Sequence, residues 1–548
     1  MPRRRQSAAS RAVPFEVVED LDDGLASPEA SVGAAAAAGG SAAAGHVGDG
    51  ARAAGSVGSG AGDGADGAQG RLGEAPSGAG DTSSGSRTVR WKPWAAAAGV
   101  LALVVGGLAI GGEIEERRTA ARLVTSVGGV LPFTGPPREL WSLDLNNHLW
   151  MPFGGLLLSQ VDEGGLTAVD VLTGKEVWQA TVGPDAYCGR PSIWQTLAEE
   201  TGPLLCLAGT ADAQVVSVLD AEGQVTGSRD LGPVDEGSSY AVGPGSTVVH
   251  VRRDGPVGPP VGPRELYDES GDATFVDVPG GRAVVVTLED AVSGDVLWEN
   301  EVPFVAPDEA WECQVFSDTP EVELELDKVS SMTTGYVVTV DGCGISAAFD
   351  ADGTRLDDVT SQDDLVEPLT ATTVSRFDQT TQHTTVLDRT GTSLWEVTGP
   401  LLRPSATDGT GEDTVLVDTL SGLAAFRPDG TELWDASTYA SRLFVHTSAV
   451  MVVDDGANGL TALDPTTGRT LWTVPGEDSV YPFGAATDGS QAVVLAHDDD
   501  GSARSVGYDL ATGEVLWTGA SAPNVGMLGY HGALLQLQLS ENRVSRVG

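Results

Sequence analysis

Between Leu166 and Trp517 the chain repeats one pattern of apolar and polar positions, clearest in Leu460-Thr-Ala-Leu-Asp-Pro-Thr-Thr-Gly-Arg-Thr-Leu-Trp472. Leu460, Ala462 and the Leu463-Asp464 corner alternate as a half-buried strand does, Asp464 to Gly468 form a polar turn, and Thr470 to Trp472 run back. The unit is strand, turn, strand. Its clear copies are Leu166–Trp178, Val284–Trp298, Thr384–Trp395, Leu423–Trp434, Leu460–Trp472 and Val506–Trp517. In each, a turn glycine stands four residues before a tryptophan: Gly174 and Trp178, Gly294 and Trp298, Gly391 and Trp395, Gly430 and Trp434, Gly468 and Trp472, Gly513 and Trp517. Two degenerate copies, Asp220 to Gly223 and Asp350 to Gly353, keep the turn and lose the aromatic.

Each part of the motif has a physical reason. The aspartate that opens the turn (Asp170, Asp290, Asp388, Asp464, Asp509) accepts hydrogen bonds from backbone N–H groups two residues on, and glycine supplies the positive φ that closes the hairpin. The tryptophan carries a flat apolar face that one four-stranded sheet cannot bury, so it packs against the next sheet. Successive turn glycines lie 38 to 71 residues apart, with the longer spacings in the first half. That period, with radial repetition protecting the strand edges, predicts an all-β fold: a β-propeller of four-stranded repeats. Arg138–Asp144 reads as a returning strand without its first half and Val525–Val547 as a repeat without its end, so the two can close the ring. Eight turns and this composite make nine units. With one degenerate copy read as an insertion, the expectation is about eight blades.

The pattern Leu-x-Ala-Leu-Asp-x-x-Thr-Gly-x-x-Leu-Trp, as at Leu460–Trp472, resembles the repeat of the pyrroloquinoline-quinone (PQQ) propeller superfamily over most of residues 136–548. That family includes quinoprotein alcohol dehydrogenases, a propeller lipoprotein of outer-membrane protein assembly, and extracytoplasmic sensor domains. The resemblance implies the fold and leaves function open. In the enzymes it implies two adjacent cysteines over the quinone, a tryptophan floor, and Glu, Asn and Asp residues holding calcium and serving as base. No two cysteines are adjacent here, and the tryptophans are assigned to blade packing, so a cofactor is not expected, although PQQ stays open as the alternative. No catalytic, cofactor-binding or metal residue is assigned.

Ahead of the repeats, residues 1–90 are rich in Gly, Ala, Ser and Asp and carry too little large apolar surface to offset chain entropy, so a disordered cytoplasmic tail is expected. Trp94 to Gly112 contains no charge over 19 residues, which is about 28 Å as a helix and therefore one bilayer span. The expected division is tail 1–90, transmembrane helix 91–112, connector 113–135 and propeller 136–548. Basic residues flank the span on both sides, so the positive-inside rule does not orient it. The cysteines do: Cys188, Cys206, Cys313 and Cys343 all follow the span, and an even count suits disulfides in an oxidising, extracytoplasmic compartment. Three connectivities are possible. Cys188 with Cys206 and Cys313 with Cys343 is the expected one, because each would close a loop within one repeat.

Residues 113–548 hold 22 Lys/Arg against 67 Asp/Glu, which excludes the basic face that nucleic acid requires. Asp498-Asp-Asp-Gly501, Asp454-Asp-Gly456 and Asp350-Ala-Asp-Gly353 do not complete a calcium loop and are read as turns. The seven histidines (His46, His148, His250, His383, His446, His497, His531) show no ligand spacing. The expectation is a membrane-tethered, non-catalytic binding, scaffold or sensor propeller of the bacterial cell envelope, with a protein, peptide or glycan partner. Specificity is expected in the long insertions 232–280 and 300–333, the second of which carries Trp311 and Cys313.

Overall fold

The computed structural model describes residues 117–548 apart from 145–149, 162–163, 190–201, 236, 268–272, 308–309, 316–322, 357–363, 412, 455–458, 477–480, 498–502, 522–524 and 539–540. The expected tail and membrane span lie outside the described residues, as do the 455–456 and 498–501 turns. No helix among the described residues is long and apolar enough to cross a membrane.

Nine sheets among the described residues follow the repeat in chain order and are called blades 1 to 9. Blade 1 is typical: Trp150–Phe153, Leu156–Val161, Gly165–Asp170 and Glu176–Thr181 pair antiparallel in sequence, inner strand first. Blade 2 begins at Tyr187–Cys188, blade 3 at Ser238–Val242, blade 4 at Val329–Thr334 and blade 5 at Asp364–Pro368. Blades 6, 7 and 8 begin at Leu401–Leu402, Leu443–His446 and Tyr481–Thr487. Blade 9 joins Val525–Tyr530, Ala533–Gln538 and Arg543–Val547 to the N-terminal strand Glu139–Asp144, which closes the ring as the terminal half-repeats implied. Both degenerate turns head sheets of their own, which makes nine where about eight were expected. They can do so because the turn survives without the tryptophan: Gly223 N donates to Asp220 O and Gly353 N to Asp350 O, at 3.0 and 2.8 Å.

The apolar core lies between blades. Leu166, Ala168 and Trp178 of blade 1 pack on Cys188, Leu204 and Leu219 of blade 2, and Leu460, Ala462 and Trp472 of blade 7 meet Ala485, Val494 and Leu510 around blade 8. The tryptophans lock these contacts in a repeated way. The indole N–H of Trp178 donates to Ala221 O, Trp298 to Ala351 O, Trp395 to Pro428 O, Trp434 to Pro465 O and Trp472 to Leu510 O. Every acceptor sits one residue after the first residue of the next blade's turn. The turn glycine of that next blade lies against the same ring, so a Cβ at Gly223, Gly353, Gly430, Gly468 or Gly513 would come within 2.4 to 2.6 Å of indole carbon. The glycine therefore does two things, closing the hairpin and admitting the neighbour's indole.

The expected connector is partly docked on the propeller. The helical segment 117–125 leads into residues that hydrogen-bond three blades in turn: Thr407 N to Val127 O, Thr487 N to Gly128 O with Val130 N to Thr487 O, and Leu131 N to Gly532 O. Leu123 and Val130 are 0% and 1% exposed, and Arg122 Nε donates to Asp408 O.

Candidate binding face

Antiparallel blades put the motif turns and the first-to-second strand turns at one end of the ring, and the second-to-third turns and blade crossings at the other. The docked segment 117–133 meets the first, or motif, end at Thr407, Thr487 and Gly532. The insertions 255–282, a second-to-third connection in blade 3, and 303–328, the crossing from blade 3 to blade 4, rise from the second, or crossing, end.

There the two insertions fold into one lobe. A hairpin pairs Gly262–Tyr267 with Ala273–Val278, a 3-10 turn spans Ala310–Cys313, and Gln314–Val315 pairs with Glu323–Leu324. Val278, Ala310, Cys313 and Cys343 are its buried centre, with Val261, Val276, Phe304, Leu324 and Leu326 against them. Cys313 is bonded to Cys343, in the second-to-third turn of blade 4, which ties the lobe to the ring. Arg253, 6% exposed, sits beneath it. Its guanidinium donates to the carbonyls of Arg282, Lys328 and Cys343, joining both insertion stems to the disulfide turn, and burial pulls its pKa down to about 10. Outward, the hairpin shows Phe275, 73% exposed, and near its stem Val257. The other disulfide, Cys188–Cys206, bridges directly paired residues on neighbouring strands of blade 2.

Beside the lobe, the boundary between blades 2 and 3 departs from the tryptophan rule. Blade 2 carries Gly227 where the indole would be, and Val292 of the next turn lies against it. Arg229, two residues on, takes over: its Nε donates to Ala291 O at 3.2 Å, its guanidinium covers Gly294, and Nη1 meets Glu289 Oε2 at 2.7 Å. His250 Nδ1 lies 3.7 Å from Glu289 Oε1, and His250 stacks on Tyr240 at 4.2 Å. The His250 contact, with Arg229 behind it, holds the Glu289 carboxyl below the usual range, while burial, helped by Glu289, raises the Tyr240 phenol. At the crossing end this polar boundary opens into a pocket of about 230 Å³ lined by Asp185, Tyr187, Leu207, Gly209, Gln214 and Tyr240. Sequence reading missed Arg229; the signal available was an arginine on the face of the strand that the missing tryptophan would have occupied. The boundary after blade 4 also uses arginine, with Arg389 paired twice to Asp350 at 2.6 and 2.9 Å and lying over the Tyr336 ring.

The repeat tryptophans and glycines assigned from sequence sit at blade boundaries rather than in any one site. Asp350 and Asp454, considered for calcium, accept turn and neighbouring hydrogen bonds, the first from Asp352 N and Arg389, the second from Ser441 N and Oγ. Among the described residues no group of three or more His, Cys, Asp or Glu is arranged to hold a metal ion. The residues also do not fit the quinone seat that the resemblance implies. The cysteines are consumed in two separated bridges, and five indoles are turned with their N–H on the next blade's backbone.

These features define a propeller of PQQ-like repeats with an inserted lobe on its crossing face. Residues 371–527 match the family model described as outer membrane protein assembly factor BamB. Among solved structures, BamB from Moraxella catarrhalis aligns at 13% identity over 75% of this chain and 99% of its own, with a TM-score of 0.36. Quinohemoprotein alcohol dehydrogenase from Comamonas testosteroni aligns at 13% identity over 77% of each chain, with a TM-score of 0.33. The C-terminal WD40 domain of Sif2 aligns at 11% identity over 76% of this chain and 99% of its own, with a TM-score of 0.37. No curated protein matches the chain.

Proposed function

We propose that this chain is a membrane-tethered, extracytoplasmic binding propeller of a bacterial cell envelope, holding a protein partner on the crossing face through the inserted lobe. The observation that carries this reading is the lobe itself. Two insertions separated in sequence by the last two strands of blade 3 share one apolar centre and one buried arginine, with a disulfide tying the second to blade 4, and such an investment in a rigid loop assembly suits recognition. An envelope setting is supported by the uncharged run 94–112, by the two disulfides and by a family description that speaks of outer-membrane assembly. Orientation follows from chain length: residue 117 stands five residues beyond Gly112 and leads into the segment docked on the motif end. The motif end then faces the membrane and the lobe faces away.

The test is site-specific photo-crosslinking in cells from position 275, with position 394 on an outer strand as control. A discrete adduct from 275 that is absent from 394, with the same protein lost from a pull-down when 255–282 is replaced by an Asn-Gly turn joining the paired Asp254 and Ala283, supports the reading. Equal labelling from both positions sinks it. Turnover of alcohols or aldoses with PQQ and calcium would replace it with the oxidoreductase reading.

A further inference from the structure

We infer that the pocket between blades 2 and 3 is a binding site for a cationic group, a protonated amine or guanidinium. Its lining supplies acceptors and aromatic faces and lacks a cation. Asp185 is exposed at the rim, and no ion pair involving it is present among the described residues. Gln214 Oε1 is buried without a hydrogen-bond partner, so it calls for a donor that the chain does not provide. The hydroxyl of Tyr240 is already committed to Leu231 O, and its ring is backed by His250. What Tyr240 offers the cavity is therefore chiefly π surface, which attracts cations. Two arginines act on Tyr240: Arg229 is held by Glu289 and Ala291 O, Arg252 faces Asp254 at 3.7 Å, and neither is among the lining residues.

Size narrows the ligand. A volume of about 230 Å³ corresponds to roughly eight water-sized groups at about 30 Å³ each, enough for an aminoalkyl or guanidinoalkyl chain. The strongly acidic chain raises the local concentration of such ligands. The pocket opens on the same end of the ring as the lobe, yet the inference rests on its own residues and stands whether or not the lobe binds a protein.

The test is titration calorimetry on the full chain in detergent, using butylammonium and N-acetyl-lysine methylamide beside the neutral N-acetyl-norleucine methylamide. Both cations should bind with a dissociation constant of about 1 mM or tighter, the lysine derivative more tightly if the natural source is a peptide and butylammonium equally if it is a free amine. Asp185→Asn keeps a residue that tolerates the left-handed backbone at this position, φ 52°, and should weaken binding about fivefold. Gln214→Leu should weaken it as well, with both variants melting as the parent does. Binding of the norleucine derivative as strong as that of the lysine derivative, or affinity unchanged in Asp185→Asn, or no heat from either cation at about tenfold the expected constant, would overturn the assignment.

Discussion

Replacing Gly468 by alanine tests the contact that builds the ring. The position has φ +66°, and an added Cβ would stand 2.4 Å from Cε3 of Trp434. The left-handed backbone costs a non-glycine residue about 1–2 kcal/mol, and crowding a packed aromatic adds about 1–3 kcal/mol. The less flexible unfolded chain returns about 0.4–1 kcal/mol. The net expectation is a loss of about 2–4 kcal/mol, read from the urea midpoint by tryptophan fluorescence. Gly245 is the matched control, with φ +63° and nothing within 4 Å of a built Cβ, so Gly245→Ala carries the backbone cost alone, about 1 kcal/mol net. The comparison isolates the indole. A double-mutant cycle of Gly468→Ala with Trp434→Leu should then show a coupling of about 1–3 kcal/mol, since the leucine no longer fills the space that the methyl needs. Equal midpoints for Gly468→Ala and Gly245→Ala, or strict additivity in the cycle, would refute the claim that the glycine is required by the neighbouring blade's tryptophan.

His446 is 6% exposed, and burial pulls its pKa from 6.5 to about 4 against the opposing pull of Asp408. Its stabilising contribution is complete above 6.5 and is lost as pH falls toward 4, about 3 kcal/mol in all, so His446→Phe should flatten the stability profile in that window, and an unchanged slope would count against it. Arg229→Leu removes the donor to Ala291 O and the partner of Glu289, an ion pair with some solvent access, and should cost about 2 kcal/mol; adding Glu289→Gln should restore part of that in the same urea assay. A chain starting at residue 134 gives up the burial of Leu123 and Val130 and should unfold at lower urea than one starting at 113, by about 3–6 kcal/mol; identical midpoints would mean that the docked segment adds nothing to the ring.

The fold was legible because its signal is local and repeated. An aspartate that accepts the N–H groups of its own turn, as Asp464 does from Thr466 and Thr467, and an indole at fixed offset identify a blade without reference to any other part of the chain. The ninth blade was in the count of turns and was set aside because one copy without tryptophan was read as an insertion. The turn hydrogen bonds of Asp220 and Asp350 were enough to make a sheet, and arginine could supply the contact across the boundary. What a sequence cannot display is which blade's turn meets which blade's indole, so the second role of the glycines emerged only with the ring assembled. The candidate binding face was half legible for the same reason. The insertions announced themselves by length, but their union depends on Arg253, a lone arginine in a valine-rich strand, reaching carbonyls 29 to 90 residues away. The pocket was not legible at all, since Asp185, Gln214 and Tyr240 share no motif and converge through sheet pairing and blade packing alone. The two boundaries that lost tryptophan are therefore where this propeller departs from its own repeat. At the first of them, next to the lobe, a polar chain from Tyr240 to Arg229 replaces an apolar lock, beside the cavity that holds the unpaired Gln214 Oε1.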